Sequence, residues 1–128
     1  MMIPGDLKYT KEHEWIRVDG DEVVFGITDH AQSELGDITF VELPEAGKSV
    51  ARSETIATVE SVKAASDLYA AVSGEIVKVN EILSDTPETI NESPYEKGWV
   101  CRIKVSDKTE QDTLMSAKEY EKFLGGSE

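Results

Sequence analysis

The sequence predicts a mainly β protein, a sandwich of two similar halves with a short helix near residues 28–35 and a C-terminal helix near 108–124. Short runs of alternating apolar and polar residues, separated by turn residues, occupy most of the chain from 14 to 106. The series glycine, acid, isoleucine begins at Gly36 and returns at Gly74. We therefore expect one domain over residues 1–128, with its core at about 14–106.

The first part of the sandwich is a predicted hairpin over residues 14–27, with a turn signal at Asp19-Gly20-Asp21. The short helix follows directly. Thr28 can cap its N-terminus, Asp29 suits the positive end of the helix, and Gly36 suits its exit. Because few of its residues are apolar, this helix should lie on the surface of the β body.

The centre of the chain predicts a second hairpin, with Lys63 at or beside its turn. Residues 55–59 and 68–72 alternate like strands, and only a few residues separate them. The lysine should point into water, and its small neighbours Ser61 and Ala64 leave room for another protein to approach the amine. Taken alone, the position also fits an ordinary solvated surface lysine.

The remaining elements are a loop, a strand and a helix. Residues 80–98 contain two prolines and many polar residues, which predicts a loop with one or two short turns. Residues 99–105 form the last predicted strand, in which Cys101 behaves as a small core residue. The predicted helix at 108–124 covers an end of the sandwich and is stopped by Gly125-Gly126.

The charge balance restricts the partners. The chain has 13 Lys and Arg against 26 Asp and Glu, a formal charge of −13. Such a surface repels nucleic acids and anionic membranes, and partners should present basic patches to it. No stretch approaches the ~20 apolar residues of a membrane span. We expect a monomer.

A reducing compartment fits the single cysteine, which cannot form an intrachain disulfide. The N-terminal residues lack the features of a secretory signal or a transit peptide. These features predict a cytoplasmic, bacterial protein, or a mitochondrial matrix protein if the chain is a processed eukaryotic form. His13 and His30 form no metal-ligand pattern, and no nucleophile–base pair is apparent, so we expect neither a metal site nor an enzyme.

Four stretches together resemble the glycine cleavage system H proteins, a family of carriers. They are KEHEW (11–15), GITDHAQSELGDITFVELPEAGKSV (26–50), ESVKAASDLYA (60–70) and SDTPETINESPYEKGW (84–99). The resemblance covers nearly the whole chain and implies a lipoyl-domain-like barrel-sandwich hybrid. It also implies that Lys63 carries lipoate in amide linkage.

The resemblance implies a shuttle between three enzymes: the pyridoxal-phosphate glycine decarboxylase (P protein), the folate-dependent aminomethyltransferase (T protein) and dihydrolipoyl dehydrogenase (L protein). A lipoate ligase or a lipoyl/octanoyl transferase would attach the cofactor. An alternative is a lipoyl donor or relay that serves other lipoyl domains. A biotin carrier is disfavoured, because such carriers flank the lysine with methionine whereas Val62 and Ala64 stand here.

The resemblance also assigns further residues. It maps the pocket for the aminomethyl ammonium onto Glu14 and Asp67, with Glu12 as a secondary candidate because family members differ there. It maps recognition by lipoylating enzymes onto Glu60 and Gly74. The residues alone allow simpler interpretations: a solvated edge-strand charge for Glu14, a turn residue for Asp67, and a turn that positions the hairpin for Gly74.

Overall fold

Two antiparallel sheets form the body of the protein in the computed structural model, which describes residues 2–126. The strands are β1 (Lys8–Tyr9), β2 (Glu14–Asp19), β3 (Glu22–Ile27), β4 (Ile38–Glu42), β5 (Ser49–Val50), β6 (Thr55–Ser61), β7 (Ala65–Tyr69), β8 (Gly74–Val79) and β9 (Cys101–Val105). The helices are α1 (Asp29–Leu35), α2 (Ile82–Asp85), α3 (Thr89–Glu92) and α4 (Ala117–Gly126), with a 3-10 helix at Lys108–Thr113.

The larger sheet has the strand order β1-β2-β3-β9-β8-β5, and the smaller sheet has the order β4-β6-β7. One core of buried apolar side chains draws on both sheets, with Phe25 and Ile76 from the larger and Val41, Val59 and Leu68 from the smaller. The predicted mainly β sandwich is confirmed. Within residues 2–126, no helix is long and apolar enough to cross a bilayer.

The two similar halves are visible in the strands as well as in the sequence. β4 and β8 each contain an irregularity in pairing, between Ile38 and Phe40 in one and between Ile76 and Lys78 in the other. These positions correspond in the repeated sequence pattern. The two corresponding bulges lie in different layers, because β4 belongs to the smaller sheet and β8 to the larger.

Both predicted hairpins form, although the second strand of the Lys63 hairpin is β7 (Ala65–Tyr69) and not the predicted 68–72. β2 pairs with β3 from Glu14↔Ile27 to Asp19↔Glu22, and Gly20 in the turn takes a φ of 66° that suits glycine. β6 pairs with β7 up to Glu60↔Ala65, which leaves Lys63 in the connection.

A second apolar cluster lies apart from the main core, formed by Leu7, Tyr9, Trp15, Val24, Tyr95 and Tyr120. The Tyr9 and Tyr120 rings stack with centroids 4.6 Å apart. Tyr120 belongs to α4, so this cluster attaches the C-terminal helix to the sheet. The C-terminal helix thus packs against the β1–β2 edge of the larger sheet.

The prediction of one continuous helix over 108–124 is wrong. A 3-10 helix ends at Thr113, and Met115 then pairs with Tyr9 through two backbone hydrogen bonds of 2.8 Å. Backbone groups bonded to a strand cannot also serve a helix, so α4 starts only at Ala117 and continues to Gly126. The last strand is also shorter than predicted, since it begins at Cys101 and not at Trp99.

Candidate functional site

Lys63 lies at the tip of the β6–β7 hairpin, and its side chain is exposed. Ser61 closes the tip. Its N–H donates to the Ala64 carbonyl at 2.8 Å, and its hydroxyl accepts from the N–H groups of Lys63 and Ala64, each at 3.1 Å. The backbone that bears the lysine is therefore fixed by local hydrogen bonds, while the amine remains accessible.

The hairpin tip contacts the last turn of α1 and the segment that follows it. The Val62 N–H donates to the Asp37 carbonyl at 3.1 Å, and Lys63 Nζ donates to the Glu34 carbonyl at 2.9 Å. A Cβ added to Gly36 would lie 3.5 Å from Lys63 Cδ. As predicted, Thr28 caps α1, its hydroxyl accepting from the Ala31 N–H at 3.1 Å.

Asn91, in the loop region 80–98, holds that segment in place. Its side-chain carbonyl accepts from the Ile38 N–H, and its amide donates to the Gly36 carbonyl and to Gln32 Oε1, all at 2.9 Å. Three bonds from one side chain connect α3, α1 and the start of β4. Sequence analysis treated this region as a connector and did not single out Asn91.

A cleft of about 340 Å³ lies where the 10–14 loop, the end of β7 and the chain before α4 meet. Glu12 and Glu14 both line it, together with Tyr69, Arg52 and Met115. Of the acids that sequence analysis proposed for a pocket, the structure thus places two in one cleft.

Glu14 is 1% exposed, although it begins an outer hairpin strand. Its Oε1 accepts from the Thr10 hydroxyl at 2.9 Å, and its Oε2 accepts from the Tyr69 N–H at 2.7 Å. Burial, partly offset by these two bonds, raises the pKa of Glu14 from 4.5 to about 7. In the part of the chain described, no basic side chain pairs with this carboxylate. The alternative of a solvated edge charge is therefore wrong.

Asp67 does not line the cleft. It is exposed within β7 and accepts a hydrogen bond from the Thr58 hydroxyl at 3.2 Å, so it is a strand residue and not a turn residue. Because side chains two apart share a face of a strand, Asp67 points to the same side as Tyr69. Along the chain it lies between Lys63 and Tyr69, whose N–H binds Glu14.

The two candidates for recognition by lipoylating enzymes differ in exposure. Glu60 is exposed and pairs with Ala65, close to the tip. Gly74 is buried, and a Cβ there would lie 2.1 Å from the Lys104 carbonyl oxygen. The close approach of β8 and β9 therefore gives a structural reason for glycine at this position.

The histidines and the cysteine occupy structural positions. The His13 and His30 rings lie 4.5 Å apart, and His13 Nδ1 hydrogen-bonds Tyr120 Oη at 2.8 Å. Burial, and then His30, lowers the pKa of His13. Cys101 is buried, which raises its pKa to about 12. Across residues 2–126, no group of three or more His, Cys, Asp or Glu side chains could hold a metal ion.

Comparison with known proteins identifies the family. Residues 7–126 match the family model described as glycine cleavage H-protein. The glycine cleavage system H protein of Staphylococcus carnosus (strain TM300) is 54% identical over 125 residues, which cover 98% of this chain and 99% of that protein. That of Staphylococcus haemolyticus (strain JCSC1435) is 52% identical over 125 residues, with the same coverage.

A solved structure gives the same result. The crystal structure of a glycine cleavage system H protein from Mycobacterium marinum superposes with a TM-score of 0.89 at 43% identity, covering 96% of this chain and 99% of that chain. The chain therefore belongs to the glycine cleavage H-protein family, the lipoyl carriers of that system.

Proposed function

We propose that Lys63 carries lipoate in amide linkage and that the protein shuttles an aminomethyl group and reducing equivalents between glycine decarboxylase, aminomethyltransferase and dihydrolipoyl dehydrogenase. The observation that carries this proposal is the pairing of two features along β7. An exposed lysine stands at one end, on a fixed turn, and a buried carboxylate that forms no ion pair in the described part of the chain lines a cleft at the other.

The spacing of these features fits a lipoyl group. At ~3.3 Å per strand residue, β7 is about 13 Å long from Ala65 to Tyr69, and Lys63 stands in the turn just before it. A lipoyl-lysine has about 12 bonds from the Cα to the nearer sulfur, which reach about 15 Å when extended. An extended arm is therefore about as long as β7, which runs from the hairpin tip to the cleft and carries Asp67 at its centre.

Attached lipoate would supply a dithiolane, whose S–S bond would open as one sulfur takes up the one-carbon amine and the other becomes a thiol; the dithiol left after transfer would pass its electrons on by reoxidation. Glu14 offers the cationic end of this cargo a buried carboxylate that forms no ion pair within residues 2–126. Asp67 and Glu12 add negative charge nearer to solvent. A cleft wall also restricts the access of water to the cargo, which slows hydrolysis.

The strength of this binding should be moderate. A hydrogen bond to a charged group contributes roughly 1.5–3 kcal/mol, so two carboxylates contribute a few kcal/mol. That is enough to populate a docked arm and still allow its release to the next enzyme. A much tighter cleft would hold the cargo back from the partners.

A lipoyl donor that serves other lipoyl domains would need only the hairpin tip. Replacing Glu14 and Asp67 by alanine separates the two functions. We expect glycine decarboxylation–exchange to fall by at least about 10- to 100-fold, the effect of losing one charged hydrogen bond of roughly 1.5–3 kcal/mol, while lipoyl transfer to other acceptors is kept. Glu75→Ala, an exposed acid on β8, is the matched control. Unchanged exchange in the double variant would refute the role of the cleft.

The remaining partners follow from the same proposal. A lipoate ligase or a lipoyl/octanoyl transferase modifies Lys63 and reads Glu60 beside the tip. We place the protein in the cytoplasm as a monomer, in line with bacterial relatives of nearly equal length. Size-exclusion chromatography with light scattering tests the monomer.

A further inference from the structure

The hydroxyl of Thr10 lies at the centre of the loop that leads to Glu14. It donates to Glu14 Oε1 at 2.9 Å and accepts from the Glu14 N–H at 3.1 Å and from the Glu12 N–H at 3.2 Å. The Thr10 backbone adds two bonds, since its N–H donates to the Glu14 carbonyl at 2.9 Å and its carbonyl accepts from the His13 N–H at 3.2 Å. Thr10 thus closes the loop and also contacts the carboxylate of Glu14.

The direction of the bond between Thr10 and Glu14 follows from the capacity of a hydroxyl. A hydroxyl has one donor and two acceptor sites. The N–H groups of Glu12 and Glu14 use both acceptor sites, so the hydroxyl proton is left for the carboxylate. Thr10 therefore donates to Glu14, and the loop backbone itself orients that donor.

We propose that Thr10 is a positioning residue for Glu14, because its hydroxyl joins the loop backbone to the carboxylate and holds that carboxylate ionisable and aimed at the cleft. This inference rests on the proposed role of Glu14 as the acid that receives the cationic cargo. Thr10 fixes Oε1 and the Tyr69 N–H fixes Oε2, so both oxygens are held from the two walls of the cleft.

The geometry leaves capacity for the cargo. Each carboxylate oxygen has two lone-pair sites, and the protein uses one on each. A cationic group that reached Glu14 from the cleft would therefore not have to displace Thr10 or Tyr69. Without the Thr10 hydroxyl, Oε1 would lose its protein donor, and the side chain would gain freedom to rotate away from the cleft.

The test compares Thr10→Val, which removes the hydroxyl, with Thr10→Ser, which keeps it. Thr86→Val is the matched control, because the Thr86 hydroxyl also forms a hydrogen bond, to the Ile82 carbonyl at 3.0 Å. That residue does not line the cleft. If valine distorts the loop, Thr10→Ala removes the same hydroxyl without added bulk.

The first readout is the pKa of Glu14, followed by carbon NMR on the full, unmodified chain. We expect a rise of about one pKa unit in Thr10→Val, the order expected for one charged hydrogen bond, and a change of a few tenths in Thr10→Ser and Thr86→Val. The second readout is hydrogen exchange at the Glu12 and Glu14 amides, which should become about tenfold faster in Thr10→Val only.

The third readout is the hydrolysis rate of the aminomethyl cargo on lipoylated protein, which should rise several-fold in Thr10→Val and return to the wild-type rate in Thr10→Ser. An unchanged Glu14 pKa in a folded variant without the hydroxyl would overturn the proposal. If Glu14→Gln leaves hydrolysis unchanged while Thr10→Val raises the pKa, the cargo role of Glu14 is wrong and the positioning of Glu14 by Thr10 stands.

Discussion

Replacing Glu14 by glutamine should raise the free energy of unfolding of the unmodified protein above pH 7. The same substitution should raise it much less at acidic pH. Glutamine keeps an oxygen for the Tyr69 N–H but has no charge to bury. The wild-type carboxylate, by contrast, must ionise at a position that is 1% exposed and has no basic partner in the described chain. The functional acid of the cleft is thus expected to cost the resting protein stability.

The size of this stabilisation follows from the pKa of Glu14. That of Glu14 is raised from 4.5 to about 7, a difference of about 2.5 pKa units, and 1.36 kcal/mol per unit gives about 3 kcal/mol. Because the folded-state pKa is the higher one, the contribution of this group is fully present below about pH 4.5 and is lost as the pH rises through about 7. The free-energy gap between variant and wild type should open in that window.

Urea unfolding of both chains at fixed ionic strength, from pH 4.5 to 8.5, measures this gap. The other carboxylates are common to both chains and cancel in the difference. The difference should grow by up to about 1.4 kcal/mol per pH unit between pH 5 and 7 and then level off. Glu75→Gln, at an exposed acid, should give a flat profile. A flat profile for Glu14→Gln as well would refute the assignment of a buried, unpaired carboxylate.

Three further predictions concern packing, the hairpin tip and association. Gly74→Ala should lower the free energy of unfolding by about 2–3 kcal/mol, because the added Cβ meets the Lys104 carbonyl at 2.1 Å, whereas Gly5→Ala, with nothing within 4 Å, should change it little; urea unfolding checks both. Ser61→Ala should speed hydrogen exchange at the Lys63 amide about five- to tenfold in NMR, since that N–H loses its acceptor, and an unchanged rate would contradict the closed tip. With a formal charge of −13, association with a basic lipoate ligase should slow about tenfold between 0.05 and 0.5 M salt in stopped-flow measurements, and a salt-independent rate would count against electrostatic docking.

Local sequence signals account for the elements that were predicted correctly. Thr28 and Gly36 bound α1 because capping is decided by side chains within a few residues. The hairpin that carries Lys63 follows from two alternating runs with small residues between them, and the glycine, acid, isoleucine pattern predicted two similar halves. Each of these features depends on neighbours in the chain.

The features that sequence analysis missed depend on contacts between distant segments. The Tyr69 N–H donates to a Glu14 carboxylate that is 55 residues away along the chain. The Asn91 side-chain carbonyl accepts from the Ile38 N–H, which is 53 residues away. The C-terminal helix is broken because Met115 pairs with a strand at the other end of the chain. Thr10 is the exception. Its position four residues before Glu14 could have drawn attention to it, although the hydroxyl alone does not reveal that the acid is buried.

The central claim, that Lys63 is the attachment point of lipoate, is tested most directly by the intact mass of the chain after incubation with lipoate, ATP and lipoate ligase. We expect the addition of one lipoyl group, mapped by peptide sequencing to Lys63, and no addition in Lys63→Arg. A lipoyl addition that persists in Lys63→Arg, or a wild-type chain that is biotinylated by a biotin ligase instead, would contradict it.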